Sequence, residues 1–345
     1  MTTKTAHGAL DGADRRQFLK MSLGAGAAAT LGISTPASAR TRVLRMGSPQ
    51  PVDSTYHVAM TTFASEVGKL SSGNMKVETF PNSQLGSIKE MLSAVQLGTL
   101  SITLAVPAWY SNFIKQMDVF TLPYLVESPQ KLREGLDGAF GDHIKTYADA
   151  AGFKLLGWWL MGSRHMVNNV RPIYKPADMV GLKMRVISSQ VYIEAFRALG
   201  ASPVALDSAE IYLAMQQHVV DGLEYPLPDL ISVKMYEVAK YVSLDAHTTD
   251  FFIVSMNSKL WASLSPDEQK IVTQAMKTSM DWQWKAQPQA ITAASEKLKT
   301  LMQVNAISPA DRQLFVNATR PVYRKFESSI GKDLVAEAVK SFGPA

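Results

Sequence analysis

The chain has 345 residues, 46% of them hydrophobic and 19% charged, with a formal net charge of +5, which describes a water-soluble protein large enough for two cores. Four cations (Lys4, Arg15, Arg16, Lys20) and two anions (Asp11, Asp14) fall in the first 39 residues; the remainder holds 31 cations against 28 anions, too even a mixture to predict a nucleic-acid or membrane-surface partner. The absence of cysteine excludes disulfides, thiolate metal sites, iron–sulfur clusters and thiol catalysis.

Asp14 to Lys20 reads DRRQFLK, and a weakly apolar Ala/Gly/Leu run follows from Met21 to Ile33. That run is too short and too rich in glycine for a membrane span, and Ala37-Ser38-Ala39 supplies a small-x-small cleavage pattern. Residues 1–39 are therefore expected to be an export signal removed before Arg40. The paired arginines resemble a twin-arginine signal, with Asp14 where Ser or Thr is commoner, and predict a periplasmic mature protein.

Val43 to Gly47 reads as a strand, broken by Ser48-Pro49-Gln50-Pro51. Tyr56, Met60, Phe63, Val67 and Leu70 recur at helical spacing. Met75 to Phe80 is a second strand, Ile88 to Leu97 a second helix and Leu100 to Val106 a third strand. This alternation predicts an α/β domain with a largely parallel sheet, whose ligand would sit beyond the carboxyl ends of the strands. Ser48 and the Val106-Pro107-Ala108 turn lie at such ends. Phe153 to Leu160 reads as another strand. Its adjacent Trp158 and Trp159 must point to opposite faces, so that one packs and one is a candidate to line a cleft, with core packing for both the plainer reading.

Arg164 follows in GSRHMVNNVRPI. In PADMVGLKMRV, Leu182, Met184 and Val186 form one face of a strand and Lys183 and Arg185 the other. A guanidinium on a rigid strand is matched to a carboxylate, which makes Arg185 a candidate ligand clamp; a structural salt bridge is the alternative. Helices over Val191–Leu199 and Ile211–His218 and a strand ending at Tyr225-Pro226 complete a second α/β unit. Phe251 to Met256 is one more strand. Ser265-Pro266-Asp267-Glu268 then starts a helix running to about Met302, long enough to reach across two lobes, and two shorter helices close the chain from Pro309. The six histidines are scattered without metal-binding spacing, and no metal or other cofactor is predicted.

Six ordered blocks carry a family resemblance: FPNSQLGSIKEMLSAVQLGTL (80–100), VFTLPYLV (119–126), GWWLMGSRHMVNNVRPI (157–173), GLKMRV (181–186), ALGASPVAL (198–206) and IYLAMQQHVVDGLEYP (211–226). Together they resemble the DctP-type solute-binding proteins of tripartite ATP-independent periplasmic (TRAP) transporters. The resemblance implies a two-lobed α/β binding-protein fold of type II-like architecture, with hinge strands and a lobe-spanning helix. Lobe I is expected from 40–162 plus 249–282 and lobe II from 163–248 plus 283–345. It further implies capture of an organic acid and delivery to small and large membrane permease subunits, with the carrier itself a monomer.

By the same resemblance Arg185 matches the arginine that grips the ligand carboxylate, and Arg164 a second polar contact. Tyr225 stands where the family commonly has an asparagine that touches the ligand, and Ser208 where an aromatic residue often lines the pocket. With Trp159 and Ser48 these complete the expected substrate-binding set. The departures at Tyr225 and Ser208 are compatible with an aromatic or otherwise apolar monocarboxylate. No motif of a hydrolase, zinc protease or nucleotide-binding enzyme is present, and Asp207, Asp221 and Glu224 are expected to hydrogen-bond backbone rather than catalyse. A sensory receptor would have the same pocket chemistry.

Overall fold

The computed structural model describes residues 41–343; the export signal lies outside them. The strands are β1 (Arg42–Gly47), β2 (Met75–Phe80), β3 (Ile102–Ala105), β4 (Phe153–Asn168), β5 (Lys183–Val186), β6 (Ser202–Ala205), β7 (Gly222–Pro226), β8 (Tyr241–Asn257) and β9 (Gln303–Ala306). They form one sheet in the order β2-β1-β3-β8-β4-β7-β5-β6, with β9 on β8.

Two parallel groups occupy the ends of this sheet: β2-β1-β3, and β7-β5-β6. Between them run β4 and β8, of 16 and 17 residues, antiparallel to one another. The upper half of β8 pairs with β3, and the second half of β4 with β7, so both long strands belong to both ends. The expected strands 153–160 and 251–256 are thus only halves of what forms. Three register shifts along the pair, at Leu155/Gly157, Leu160/Gly162 and Arg164/Met166, bend it without ending it. Periodicity breaks at such bulges, which is why only one half of each reads as a strand in the sequence.

The expected long helix spans Pro266–Leu301, 36 residues, capped by a reciprocal Ser265/Glu268 box with Pro266 in its first turn. It lies against the bent strand pair. Its Gln283 side chain accepts from Leu160 N (2.8 Å) and donates to Leu160 O (2.7 Å), while Gln287 donates to Met161 O (2.9 Å) and the Tyr56 hydroxyl (3.0 Å). These amides satisfy backbone groups that the bulge removes from the ladder. Approach is close at Gly157, where a Cβ would meet Met280 Sδ at 2.3 Å. Helices Pro309–Ile330 and Lys332–Phe342 close the chain. Among the described residues no helix is long and apolar enough to cross a membrane.

Candidate functional site

The carboxyl ends of the strands from both parallel groups converge on a cavity of about 520 Å³. Pro49 to Pro51 arrive from the end of β1, Val106 and Trp109 from β3, Ile187 from β5, Asp207 and Ser208 from β6, and Tyr225 and Asp229 from β7; Met161 and Arg164 of β4 and Phe252 of β8 form its floor. Its position agrees with the rule for parallel sheets.

Four of the six expected binding residues, Arg185, Arg164, Tyr225 and Ser208, border this cavity. Trp159 and Ser48 do not. Trp159 is fully buried in the apolar core, and Trp158 packs edge-on against Phe251 with its backbone oxygen accepting from Trp284. The plainer reading, core packing for both tryptophans, describes what forms. The Ser48 hydroxyl accepts from Gln50 N (3.0 Å), and its carbonyl from Ser83 N (3.0 Å); Ser48 therefore shapes two loops of the cavity wall from behind it.

The two arginines differ in what holds them. Arg164 is spent internally: Nε and Nη2 both pair with the Glu224 carboxylate, Nη2 also reaches Glu224 O, and Nη1 donates to Asp250 Oδ2 at 2.9 Å. Burial works against its charge, but Glu224 and Asp250 outweigh it and hold the guanidinium well above its ordinary pKa. Its plane faces the Tyr225 ring, 5.4 Å from the centroid. Arg185, on interior strand β5, gives Nε and Nη2 to Leu206 O (3.1 and 2.8 Å), while its buried Nη1 has no partner. Burial drives its pKa down, with Glu224 pulling the other way.

Behind the arginines lies a buried ionic cluster that sequence patterning did not single out. His247 Nδ1 is 2.8 Å from Asp245 Oδ2, and its Nε2 is 3.6 Å from Glu224. Burial opposes protonation of His247, yet Asp245 and Glu224 raise it to about 9. Burial lifts Asp250 to about 6 and Asp229 to about 7 despite the opposing field of Arg164, and it pushes Tyr225 up to about 12. One signal was available: Asp250 stands beside the run FFIV, where a lone carboxylate needs a cation. The lesser acids behave as expected. Asp221 accepts from Lys183 N (2.8 Å), and Asp207 caps the turn that carries Ser208. Glu224 instead belongs to the ionic cluster.

A wider, more open hollow of about 820 Å³ is bordered by Tyr212, His218, Tyr236 and Glu237. Tyr212 donates to Glu237 there (2.7 Å), and no buried polar side-chain atom among its lining residues lacks a partner.

Residues 46–329 match the family described as bacterial extracellular solute-binding protein, family 7 (DctP), and residues 13–32 match the twin-arginine translocation signal. A solute-binding protein of Verminephrobacter eiseniae is 34% identical over 80% of this chain and 82% of its own length. The sialic acid-binding periplasmic protein SiaP of Vibrio cholerae is 29% identical over 89% and 95%. Among solved structures, the sugar acid binding protein DctPAm of Advenella mimigardefordensis with galactonate superposes with a TM-score of 0.85 at 31% identity, covering 88% of this chain and 98% of that one. A TRAP periplasmic solute-binding protein of Sulfurospirillum deleyianum with succinate gives 0.82 at 29% identity, covering 88% and 99%. The family match over most of the chain, the export signal and the two-lobed fold of these neighbours agree: this chain belongs to the DctP family of periplasmic solute-binding proteins of TRAP transporters.

Proposed function

We propose that the protein captures an organic acid in the cavity between its lobes and presents it to the membrane permease subunits of its transporter, with Arg185 gripping the carboxylate. The single observation that carries the reading is the partnerless, buried Nη1 of Arg185 in the cavity wall, beside an Arg164 whose nitrogens are all engaged. A buried guanidinium with an unused donor is costly alone and favourable once an anion meets it. Galactonate and succinate, bound by the two neighbours, share a carboxylate and little else, which supports reading that group as the common handle.

Arg164 acts in this reading as a brace, setting Tyr225 and the wall through Glu224 and Asp250. Val106, Trp109, Met161, Ile187 and Phe252 around the cavity favour a ligand with an apolar body. Arg185 itself has no exposed area, so the ligand enters a more open arrangement and the lobes, 40–162 plus 249–282 and 163–248 plus 283–345, close over it. The carrier works as a monomer that offers both lobes to the permease.

Thermal unfolding of the mature protein against a panel of organic acids tests this. An acid at one hundred times its dissociation constant adds about 2.7 kcal/mol, and Arg185→Ala is expected to abolish that shift. No shift with any acid, or one that survives the substitution, refutes the assignment.

A further inference from the structure

Among the residues that border the cavity, two buried polar atoms lack a partner: Nη1 of Arg185 and Oδ2 of Asp229. The first is a donor and the second an acceptor. Asp229 lies in the short helix Leu227–Ser232 that follows Tyr225, and only 3% of it is exposed. The cation whose field acts on it is Arg164, whose nitrogens already serve Glu224 and Asp250. Leaving a carboxylate oxygen buried and unpaired costs roughly 1–3 kcal/mol or more, a cost that a bound partner removes.

We propose that Asp229 is the second recognition point of the cavity, accepting a hydrogen bond from a hydroxyl or ammonium group of the ligand whose carboxylate meets Arg185. The ligand is then a hydroxy or amino carboxylic acid rather than a plain one. This rests on the carboxylate reading above and adds the polarity of a second group. The surroundings of Asp229 agree: besides Arg164 they offer the Asp250 carboxylate and the hydroxyls of Tyr56 and Tyr225, and the net result is a carboxyl pushed up to about 7 by burial. The Tyr56 oxygen accepts from Gln287 at 3.0 Å, which leaves its O–H to act on the Asp229 carboxyl, while Oδ2 of Asp229 keeps no partner within hydrogen-bond distance. Arg185 positions the acid and Asp229 selects among acids, since a site built to accept a hydrogen bond rejects an analogue that lacks the donor.

Two matched series separate the possibilities in titration calorimetry of the mature protein: 3-phenylpropionate, 3-phenyllactate and phenylalanine; and succinate, malate and aspartate. Within at least one series the hydroxy or the amino acid is expected to bind at least tenfold tighter than the acid without a donor. Asp229→Ala is expected to shrink that difference below about twofold. Asp229→Asn keeps an acceptor oxygen without the charge, so it retains part of a preference for hydroxyl and loses a preference for ammonium, which tells the two donors apart. Equal binding within both series, or a preference that survives Asp229→Ala, overturns the role of Asp229 and leaves carboxylate capture standing. Failure of every acid of both series and of the wider panel overturns capture itself, and this inference with it.

Discussion

Arg185 Nη1 stands 3.9 Å from Glu224 Oε1, near enough to feel the charge and too far for a hydrogen bond. The same carboxylate grips Arg164 with both oxygens. One acid therefore serves two cations unequally, satisfying the first and leaving the second to be completed by something from outside the chain.

Arg185→Lys should weaken binding of the cognate acid by about 100-fold, or ~2.7 kcal/mol, because an ammonium keeps the charge and loses the planar fork. Calorimetry measures it. Near-wild-type affinity in the lysine variant would locate the carboxylate elsewhere.

The ligand-free protein should respond unequally at the two arginines. Arg164→Met strips Glu224 and Asp250 of their cation and should cost about 3–5 kcal/mol of stability. Arg185→Met removes a buried charge that the empty protein pairs poorly, and should cost less than about 1.5 kcal/mol. Urea unfolding of both variants reads the contrast, and equal losses would mean that Arg185 is as much a structural ion as Arg164.

His247 predicts a pH dependence on the alkaline side. Its folded pKa, about 9, lies above the ordinary 6.5. The native state therefore holds a proton that the unfolded chain releases, and the stabilisation is complete below 6.5 and lost as pH rises through 9. The whole effect is of the order of 3 kcal/mol. His165 works with the opposite sign: burial lowers it to about 4, so its contribution is lost as pH falls from 6.5 towards 4. Denaturation curves between pH 6.5 and 9 should flatten in His247→Gln, and an unchanged slope there would assign the effect to other groups.

Gln283→Leu should destabilise the fold by about 2–5 kcal/mol, because Leu160 N and O both lose their buried partner. Chemical denaturation checks it. A loss under about 0.5 kcal/mol would mean that water replaces the amide at the bulge.

Much of the architecture was legible because its determinants are local. Tyr56, Met60, Phe63 and Val67 do form the buried face of helix Thr55–Leu70, and Ser265 with Pro266 and Glu268 does open the long helix. The length of β4 and β8 was not legible, since bulges break the period and the backbone groups freed there are met by Gln283 and Gln287 from more than a hundred positions away. At the site, Arg185 could be found from a strand pattern and a family block. The role proposed for Asp229 could not, because an aspartate early in a short helix is ordinary there, and only the tertiary packing shows that its Oδ2 has no partner. Arg164 borders the cavity, and its commitment to Glu224 and Asp250 depends on three strands meeting.

The threading of β4 and β8 through both ends of the sheet bears on how the chain comes of age. β3 has no neighbour on its far side until Ile253 to Met256 arrive, so the amino-terminal half cannot finish its own sheet while the rest is still being synthesised. Neither lobe exists as a separable fragment, and a chimaera that exchanges one lobe between relatives must cut both long strands at matching bulges. Such a chain is all or nothing at the moment of export, and a twin-arginine route, which carries proteins already folded, suits a molecule whose last strands complete its first.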